Sequence, residues 1–461
     1  MNRILVVSNR LPVNISKRND KLEFIQSAGG LATGMSALQK TYEMVWIGWP
    51  GITRYTKDEK NEIISKLGEN QLVPVFLTQQ QVEQYYDNFS NRTIWPLFHY
   101  FTQYTNYEES SWDAYKNVNE LFARHVLDQY HEGDMIWIHD YHLMLVPEMV
   151  RREQPDASIG YFLHIPFPSF EIFRYLPWRD SVLRGIMGAD LIGFHTFDYA
   201  RHFSSSIMRL QGLEHYLGQV FYDERMVRID TFPMGINFEK YAGAPATKEV
   251  KKQVKHYKSI CKESKVIISI DRLDYSKGIL QRLHAFHQLL HDEPDIKGKV
   301  TLILLVVPSR DKVDSYQILK QEVDEFVGRI NGEHGSISWT PIKYFYRSLP
   351  FEKVSALYSM ADICLVTPFR DGMNLVAKEF VASKEKGDGV LILSEMAGSV
   401  NELSEAIVIN PNDIKDIVVA LQSALKMPRD EQQNRIQSMR NRLKRYDIYK
   451  WAEDYRQAGQ C

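Results

Sequence analysis

Short, almost wholly apolar runs recur along this chain, and each stops abruptly at polar residues, glycine or proline. Residues 4–7, 45–49, 72–77, 135–138, 159–163 and 191–194 obey this rule, and so do 266–270, 300–307, 363–366 and 390–393. A run with no polar alternation has no solvent face, so it reads as a strand covered on both sides, the state of strands in a parallel sheet. Helical patterns at 79–89, 112–130, 374–383 and 413–445 separate or succeed these runs, with one further strand expected at 338–346. Alternation of this kind gives an α/β class with parallel sheets.

The rhythm breaks at residues 232–236 and gives way to a Lys-rich stretch at 242–252. The expected division is therefore 1–244 and 245–445, with the aromatic tail 446–461 folding back on the first domain. At 461 residues the chain has room for two such domains. Ligands bind beyond the carboxyl ends of strands in open α/β sheets, so both domains are expected to turn those ends toward a central cleft.

Basic and acidic residues nearly balance, 56 against 58, for a net charge of −2. A general electrostatic attraction to nucleic acid or to an anionic membrane is thereby excluded. Cys261, Cys364 and Cys461 are few and far apart, which argues against a disulfide framework and for a reducing compartment. The apolar run at 4–7 is too short for a signal peptide, and the run at 302–307 is too short for a membrane span. A cytoplasmic protein is expected.

Residues 367–380, TPFRDGMNLVAKEF, come directly after the strand at 363–366. Pro368 cannot donate to a sheet ladder, so the strand ends there and the polar residues fall in the loop beyond it. The next helix opens with unpaired N–H groups near Met373, Asn374 and Leu375, which suit an anionic or hydroxyl-rich ligand. Asp371 reads either as a helix cap or as a ligand residue, and Glu379 either as a solvated carboxylate or as the acceptor of a diol such as a ribose.

Arg272 and Lys277 share one strand-to-helix loop, and Arg310 ends the next strand. A planar fork and a compact cation beside a helix N-terminus suit a diphosphate, and they can stabilise a diphosphate leaving group. In the first half, Arg10 ends the first strand and is either a solvated loop residue or an anion ligand. Gly29 and Gly30 permit close backbone approach to a phosphate or sugar, a weak signal by itself. Three successive strands end in His139-Asp140, His164 and His195, whose side chains line one sheet edge. The segment 85–100 is dense in aromatics; most are core, and one or two are available to a sugar.

Rival chemistries lack their residues. No G-x-x-x-x-G-K-[ST], G-x-S-x-G, H-E-x-x-H or C-x-x-C occurs in the sequence. No D-x-D occurs either, so the carboxylate pair that holds a divalent ion on a nucleotide diphosphate is missing, and the cations of Arg272 and Lys277 take that ion's place. A transferase without metal or cofactor is expected.

The collinear segments VVSNRLP, SAGGLATG, IGWPG, YYDNFSNRTIWPLFHY, IWIHDYHL, FLHIPFP, DRLDYSKG, VPSR, RINGEHG and TPFRDGMNLVAKE span essentially the whole chain. In these the sequence resembles the trehalose-6-phosphate synthase family of retaining glycosyltransferases. The resemblance implies two Rossmann-like domains in the GT-B arrangement and transfer of glucose from UDP-glucose to glucose 6-phosphate. It implies a donor site of Gly30, Arg272, Lys277, Leu349 (through its backbone, for the uracil), Asp371, Gly372, Met373, Asn374, Leu375, Val376 and Glu379 (for the ribose). It puts the acceptor phosphate on Arg10, Tyr86 and Arg310, with Trp95 nearby, Asp140 on the sugar hydroxyls and His164 beside the donor sugar.

Two alternatives stay open at this stage: the same donor chemistry on another phosphorylated acceptor, as in glucosylglycerol-phosphate synthases, and a sugar-phosphate sensor without turnover. The preferred donor nucleotide and homo-oligomerisation are open as well. Some members of the family continue into a phosphatase domain whose D-x-D motif is absent here, so removal of the product phosphate is expected to need a separate trehalose-phosphate phosphatase or a missing extension.

Overall fold

The structure, a computed structural model, describes residues 3–18, 21–26, 42–262, 264–310 and 313–459. Its contacts divide the chain into a first unit, Met1–Met234 with Tyr449–Cys461, and a second, Gly235–Ile448. The division comes about ten residues ahead of the one read at 244/245. The reason is local: Phe238 is buried in the second unit's core and the Tyr241 hydroxyl donates to Glu379, so this short segment attaches to the second unit.

The first unit holds β1 (Ile4–Arg10), β2 (Val13–Arg18), β3 (Lys21–Gln26), β4 (Met44–Trp49), β5 (Leu72–Pro74), β6 (Met135–His139), β7 (Ser158–Phe162), β8 (Leu191–Phe194), β9 (His215–Tyr216), β10 (Gln219–Tyr222) and β11 (Arg225–Thr231). Nine of them form one sheet in the order β5-β4-β1-β6-β7-β8-β11-β10-β9. From β5 to β11 the pairing is parallel, and the run of fully buried residues in β1 and β6 fits that. The far edge departs from the expected parallel pattern, because β10 is antiparallel to both β9 and β11. Two-residue connections make this edge, Leu217-Gly218 and Asp223-Glu224, and all four residues have positive φ. That backbone pattern matches tight hairpin turns, here built with residues that do not advertise one. A separate hairpin pairs β2 with β3.

The helix read at 79–89 is also different. A short α-turn, Gln79–Gln81, passes into a π-helix, Val82–Ile94. Its wider turns are held by side chains five residues on: Ser90 Oγ donates to the Tyr85 carbonyl and Asn91 Nδ2 to that of Tyr86, both at 2.8 Å. Such insertions are frequent at functional sites.

The tail helix Ile448–Ala458 packs on the first sheet. Tyr455 stacks on Trp137 at 4.5 Å and donates to the carbonyls of Tyr161 and Leu191. A Cβ at Gly160 or Gly193 would collide with the Tyr455 ring, so these two strands are glycine where the tail lies on them.

The second unit is a single parallel sheet of β12 (Lys265–Arg272), β13 (Val300–Val307), β14 (Ile342–Tyr346), β15 (Ile363–Val366), β16 (Val390–Ser394) and β17 (Ile407–Ile409), in the order β14-β13-β12-β15-β16-β17. Leu283, Phe286, Val323, Ile330 and Leu421 cover one face, and Leu357, Phe380, Met439 and Leu443 the other. No helix among the described residues is long and apolar enough to cross a membrane.

Within the parallel strands β5 to β8 of the first sheet, and in the second sheet, the strand order reverses direction once. In the first sheet the chain runs outward one way through β1, β4 and β5 and the other way through β6, β7 and β8, so the reversal lies between β1 and β6. In the second it lies between β12 and β15. Loops diverge at such a point and leave a crevice at the strand carboxyl ends.

Candidate active site

Five of the residues named from the sequence lie at these two reversals. Arg10 ends β1 and Asp140 comes just after β6; Arg272 ends β12, with Lys277 just beyond, and Asp371 lies in the loop after β15.

In the second unit a buried arginine organises the crevice. Arg282 is fully buried and pairs with Asp271 Oδ2 at 2.6 Å. It also donates to Thr367 Oγ1 at 2.7 Å, to Ser269 Oγ and to the Lys277 carbonyl at 2.5 Å. One guanidinium thus joins the end of β12, the loop after it and the end of β15. Burial pushes the Asp271 carboxyl up, against the pull of Arg282 and Lys277. Gly278 has φ 63, and a Cβ there would strike the Thr367 carbonyl, so glycine is what lets the two loops meet.

Lys277 Nζ lies 2.5 Å from Asp371 Oδ2, and both side chains are nearly buried. Asn374 Nδ2 donates to the same oxygen at 3.0 Å. Asn374 itself, with φ 70, caps helix Leu375–Ala382 by accepting from the Ala377 N–H. The cap is therefore Asn374 rather than Asp371, which is engaged by the lysine instead. The loop is pinned from behind: Asp371 N–H donates to Met396, Gly398 to the Asp371 carbonyl and Ser399 to that of Met373. Gly372 and Met373 are buried, while Leu375 and Val376 are half-buried and pack on the apolar cluster that also takes Leu349.

Glu379 lies a turn into the helix, half-buried. Its two oxygens accept from Tyr241 and Tyr358, at 2.8 and 2.7 Å. Burial pushes its pKa up, and the two hydroxyls hold it back. A carboxylate has about four lone-pair positions, so two donors leave room for a ligand hydroxyl. Arg272 is exposed at the end of β12. Arg310 is not: its guanidinium meets Asp274 Oδ2 at 2.7 Å, and the Tyr316 hydroxyl shares that oxygen at 2.8 Å.

In the first unit the Arg10 guanidinium lies over the Trp49 ring, 4.1 Å from its centroid. Gly51, with φ +86, leaves it that space. The π-helix brings Tyr86 to within 6.4 Å of Trp49 and stacks it on His142 at 5.6 Å. Trp95 is buried, stacked on His99 at 4.0 Å and beside Tyr141. Asp140 adopts φ 74, and its N–H donates to the Phe162 carbonyl at 2.8 Å. Its Oδ1 accepts from the His164 N–H at 3.3 Å, and its Oδ2 is 4.0 Å from His142 Nδ1.

His139 Nδ1 and His164 Nε2 are 3.0 Å apart. Burial lowers both, and His164 reaches about 3. Both rings are neutral near pH 7, so a single proton lies between these two nitrogens. His195 stands edge-on to His164 at 5.3 Å and accepts from the Met234 N–H. Gly30 lies outside the described residues.

Sequence reasoning missed Arg282 and Thr367. Neither has a local signature: Arg282 looks like any basic residue of an amphipathic helix, and its partner Thr367 is 85 residues away.

A profile described as Glycosyltransferase family 20 matches residues 2–459. The chain is 45% identical over 464 residues to a bifunctional trehalose-6-phosphate synthase/phosphatase of Thermoproteus tenax; the match takes in 98% of this chain and 63% of that protein's length. It is 41% identical over 460 residues to the alpha,alpha-trehalose-phosphate synthase [UDP-forming] 56 kDa subunit of Saccharomyces cerevisiae, covering 98% of this chain and 93% of that one. A crystal structure of an alpha,alpha-trehalose-phosphate synthase (UDP-forming) from Burkholderia xenovorans in complex with glucose-6-phosphate superposes with TM-score 0.90 at 31% identity, over 100% of both chains.

Proposed function

The chain belongs to glycosyltransferase family 20, and we propose that it transfers glucose from UDP-glucose to glucose 6-phosphate, giving α,α-trehalose 6-phosphate and UDP. The observation that carries this is the meeting of Lys277 and Asp371 at the β12/β15 reversal, 2.5 Å apart, beside the first turn of helix Leu375–Ala382.

The donor is assigned to the second unit. Arg272 and Lys277 bind the diphosphate; an ammonium has three donors, and Asp371 occupies one of Lys277's. Glu379 accepts from a ribose hydroxyl, and the Leu349 backbone meets the uracil. Asp371, Gly372, Met373, Asn374, Leu375 and Val376 surround the donor glucose. The acceptor is assigned to the first unit, with its phosphate on Arg10 and Tyr86, Trp95 behind that wall and Asp140 on the sugar hydroxyls. His164, neutral, borders the donor sugar. Arg310, which is paired with Asp274, is assigned to the acceptor phosphate as well.

In the transfer, the bond from glucose C1 to the diphosphate oxygen breaks and its electron pair leaves with UDP. The acceptor's anomeric oxygen forms the new bond on the same face, and its proton passes to the departing diphosphate oxygen. Configuration at C1 is retained and no protein nucleophile is needed. Negative charge grows on the leaving oxygen, where Lys277, Arg272 and the helix N–H groups are already in place, so stabilisation requires little reorganisation. Holding two sugars in reacting geometry supplies much of the remainder.

The test is UDP release from UDP-, ADP- and GDP-glucose, with glucose 6-phosphate, glycerol 3-phosphate or no acceptor, combined with NMR of the product linkage. The proposal expects release that depends on glucose 6-phosphate and an α,α-linked product. Equal release with glycerol 3-phosphate, or none with any acceptor, would sink it.

A further inference from the structure

The helices Ile279–Asp292 and Asp314–His334 bring together a second group of side chains that the transfer does not use: His287, Glu333 and His334. One ligand atom from each lies within 4.8 Å of the others. His287 Nε2 is 3.6 Å from Glu333 Oε2, and His334 Nε2 is 3.5 Å from Glu333 Oε1. Direct hydrogen bonds close to about 2.9 Å, whereas donors on a tetrahedral ion with bonds of about 2.1 Å stand roughly 3.4 Å apart. Both separations are too long for direct hydrogen bonds, and the three groups are near enough to close on a shared ion. The two imidazoles are perpendicular, with centroids 5.0 Å apart, so their nitrogens approach from different directions.

His334 supplies an independent indication. Its side chain is 2% exposed, yet neither ring nitrogen makes a hydrogen bond. Nδ1 of His287 is likewise buried without one. Native structures keep few such groups, and each asks for a cause. Lys297 is a cationic neighbour of His334 and Arg329 of His287, and Glu333 is the acidic neighbour of both. Neutral imidazoles with available lone pairs are the form that metals bind. The cationic neighbours also select among ions: Mg²⁺ and Ca²⁺ depend on oxygen ligands and charge, while an ion of the zinc class bonds strongly to imidazole nitrogen.

We propose that His287, Glu333 and His334 bind one divalent ion of the zinc class, which clamps the two helices together. Three protein ligands leave a fourth position for water. His287 is eight residues past Ile279, where the helix begins just after Lys277, about 12 Å along it, so the ion braces the scaffold and takes no part in the transfer.

The experiment uses the full chain, stripped with a chelator and titrated with Zn²⁺ against a chromophoric competitor. One zinc per chain is expected, and His287→Asn and Glu333→Gln should each weaken it by at least about a hundredfold, more than loss of an outer-shell partner does. Glu333 is half exposed, so its variant tests the site without disturbing the core. At zinc a hundred times its Kd, the unfolding midpoint of the wild type should rise by roughly 5 to 10 °C, and those of the variants should not. Turnover well below the midpoint should be the same with and without zinc. Zinc affinity unchanged in both variants, no rise in the wild-type midpoint, or turnover that requires zinc would each overturn the clamp.

Discussion

The ammonium of Lys277 and the carboxylate of Asp371 meet across the β12/β15 reversal although 94 residues separate them in the chain. Charge on a departing diphosphate grows only as the bond breaks, so Lys277→Ala should lower kcat far more than it weakens UDP binding. A loss of about 2 to 4 kcal/mol corresponds to a rate lower by roughly 10² to 10³. A variant with raised KM and unchanged kcat would contradict this role.

Arg10 is exposed at the end of β1, with its guanidinium over Trp49. If it holds the acceptor phosphate, Arg10→Ala should lower kcat/KM for glucose 6-phosphate by roughly 10- to 150-fold, the worth of about 1.5 to 3 kcal/mol for a charged hydrogen bond. Unphosphorylated glucose should be used about as poorly as before. Equal proportional losses for both acceptors would remove the phosphate from Arg10.

Arg310→Ala differs in kind, because it takes a cation from the buried Asp274. It should lower the unfolding midpoint as well as activity, whereas Arg10→Ala should leave the midpoint in place. Denaturant unfolding of the two variants side by side separates them.

Arg282→Met should be among the most destabilising single changes in the second unit. Removing one partner of a buried ion pair costs about 3 to 5 kcal/mol, much of it from the charge left behind. Adding Asp271→Asn should therefore recover part of the loss. A double variant less stable than the single one would show that Asp271 is held by groups other than Arg282.

The histidine pair sets a pH dependence. His164 in the folded chain titrates near 3, below the ordinary histidine value, so the unfolded chain takes up the proton first. Its contribution to stability is complete above about pH 6.5 and declines as pH falls toward 3, by about 1.4 kcal/mol per pH unit for each such group. His164→Gln should flatten the stability profile between about pH 6.5 and 5, where few carboxylates titrate. An unchanged slope in that window would mean that the buried ring takes up its proton there as readily as the unfolded chain does.

The ends of the buried strands were legible because an apolar run has to stop where the backbone leaves the sheet, and Arg10, Asp140, Arg272 and Asp371 all lie at or just beyond such stops. What partners those residues was not legible. Asp371 carries the residue type of a cap, yet Asn374 holds the helix N-terminus, because a left-handed backbone at that position turns its amide onto the Ala377 N–H. The hairpins of β9 to β11 were hidden because Leu217-Gly218 and Asp223-Glu224 supply positive φ without the usual Asn-Gly pair. The π-helix was hidden for a similar reason: its spacing depends on Ser90 and Asn91 bonding to carbonyls five residues back, a contact that hydrophobic periodicity does not encode.

The placement of Tyr455 over Gly160 and Gly193 has a consequence for the order of events during synthesis. A ribosome makes the sheet of the first unit early, but the aromatic rings that cover Trp137 and Phe162 emerge only after all of Gly235–Ile448 has been made. The second unit is therefore complete while the first still exposes an apolar face. The amino-terminal half of this chain can cover that face only once the last residues have been made.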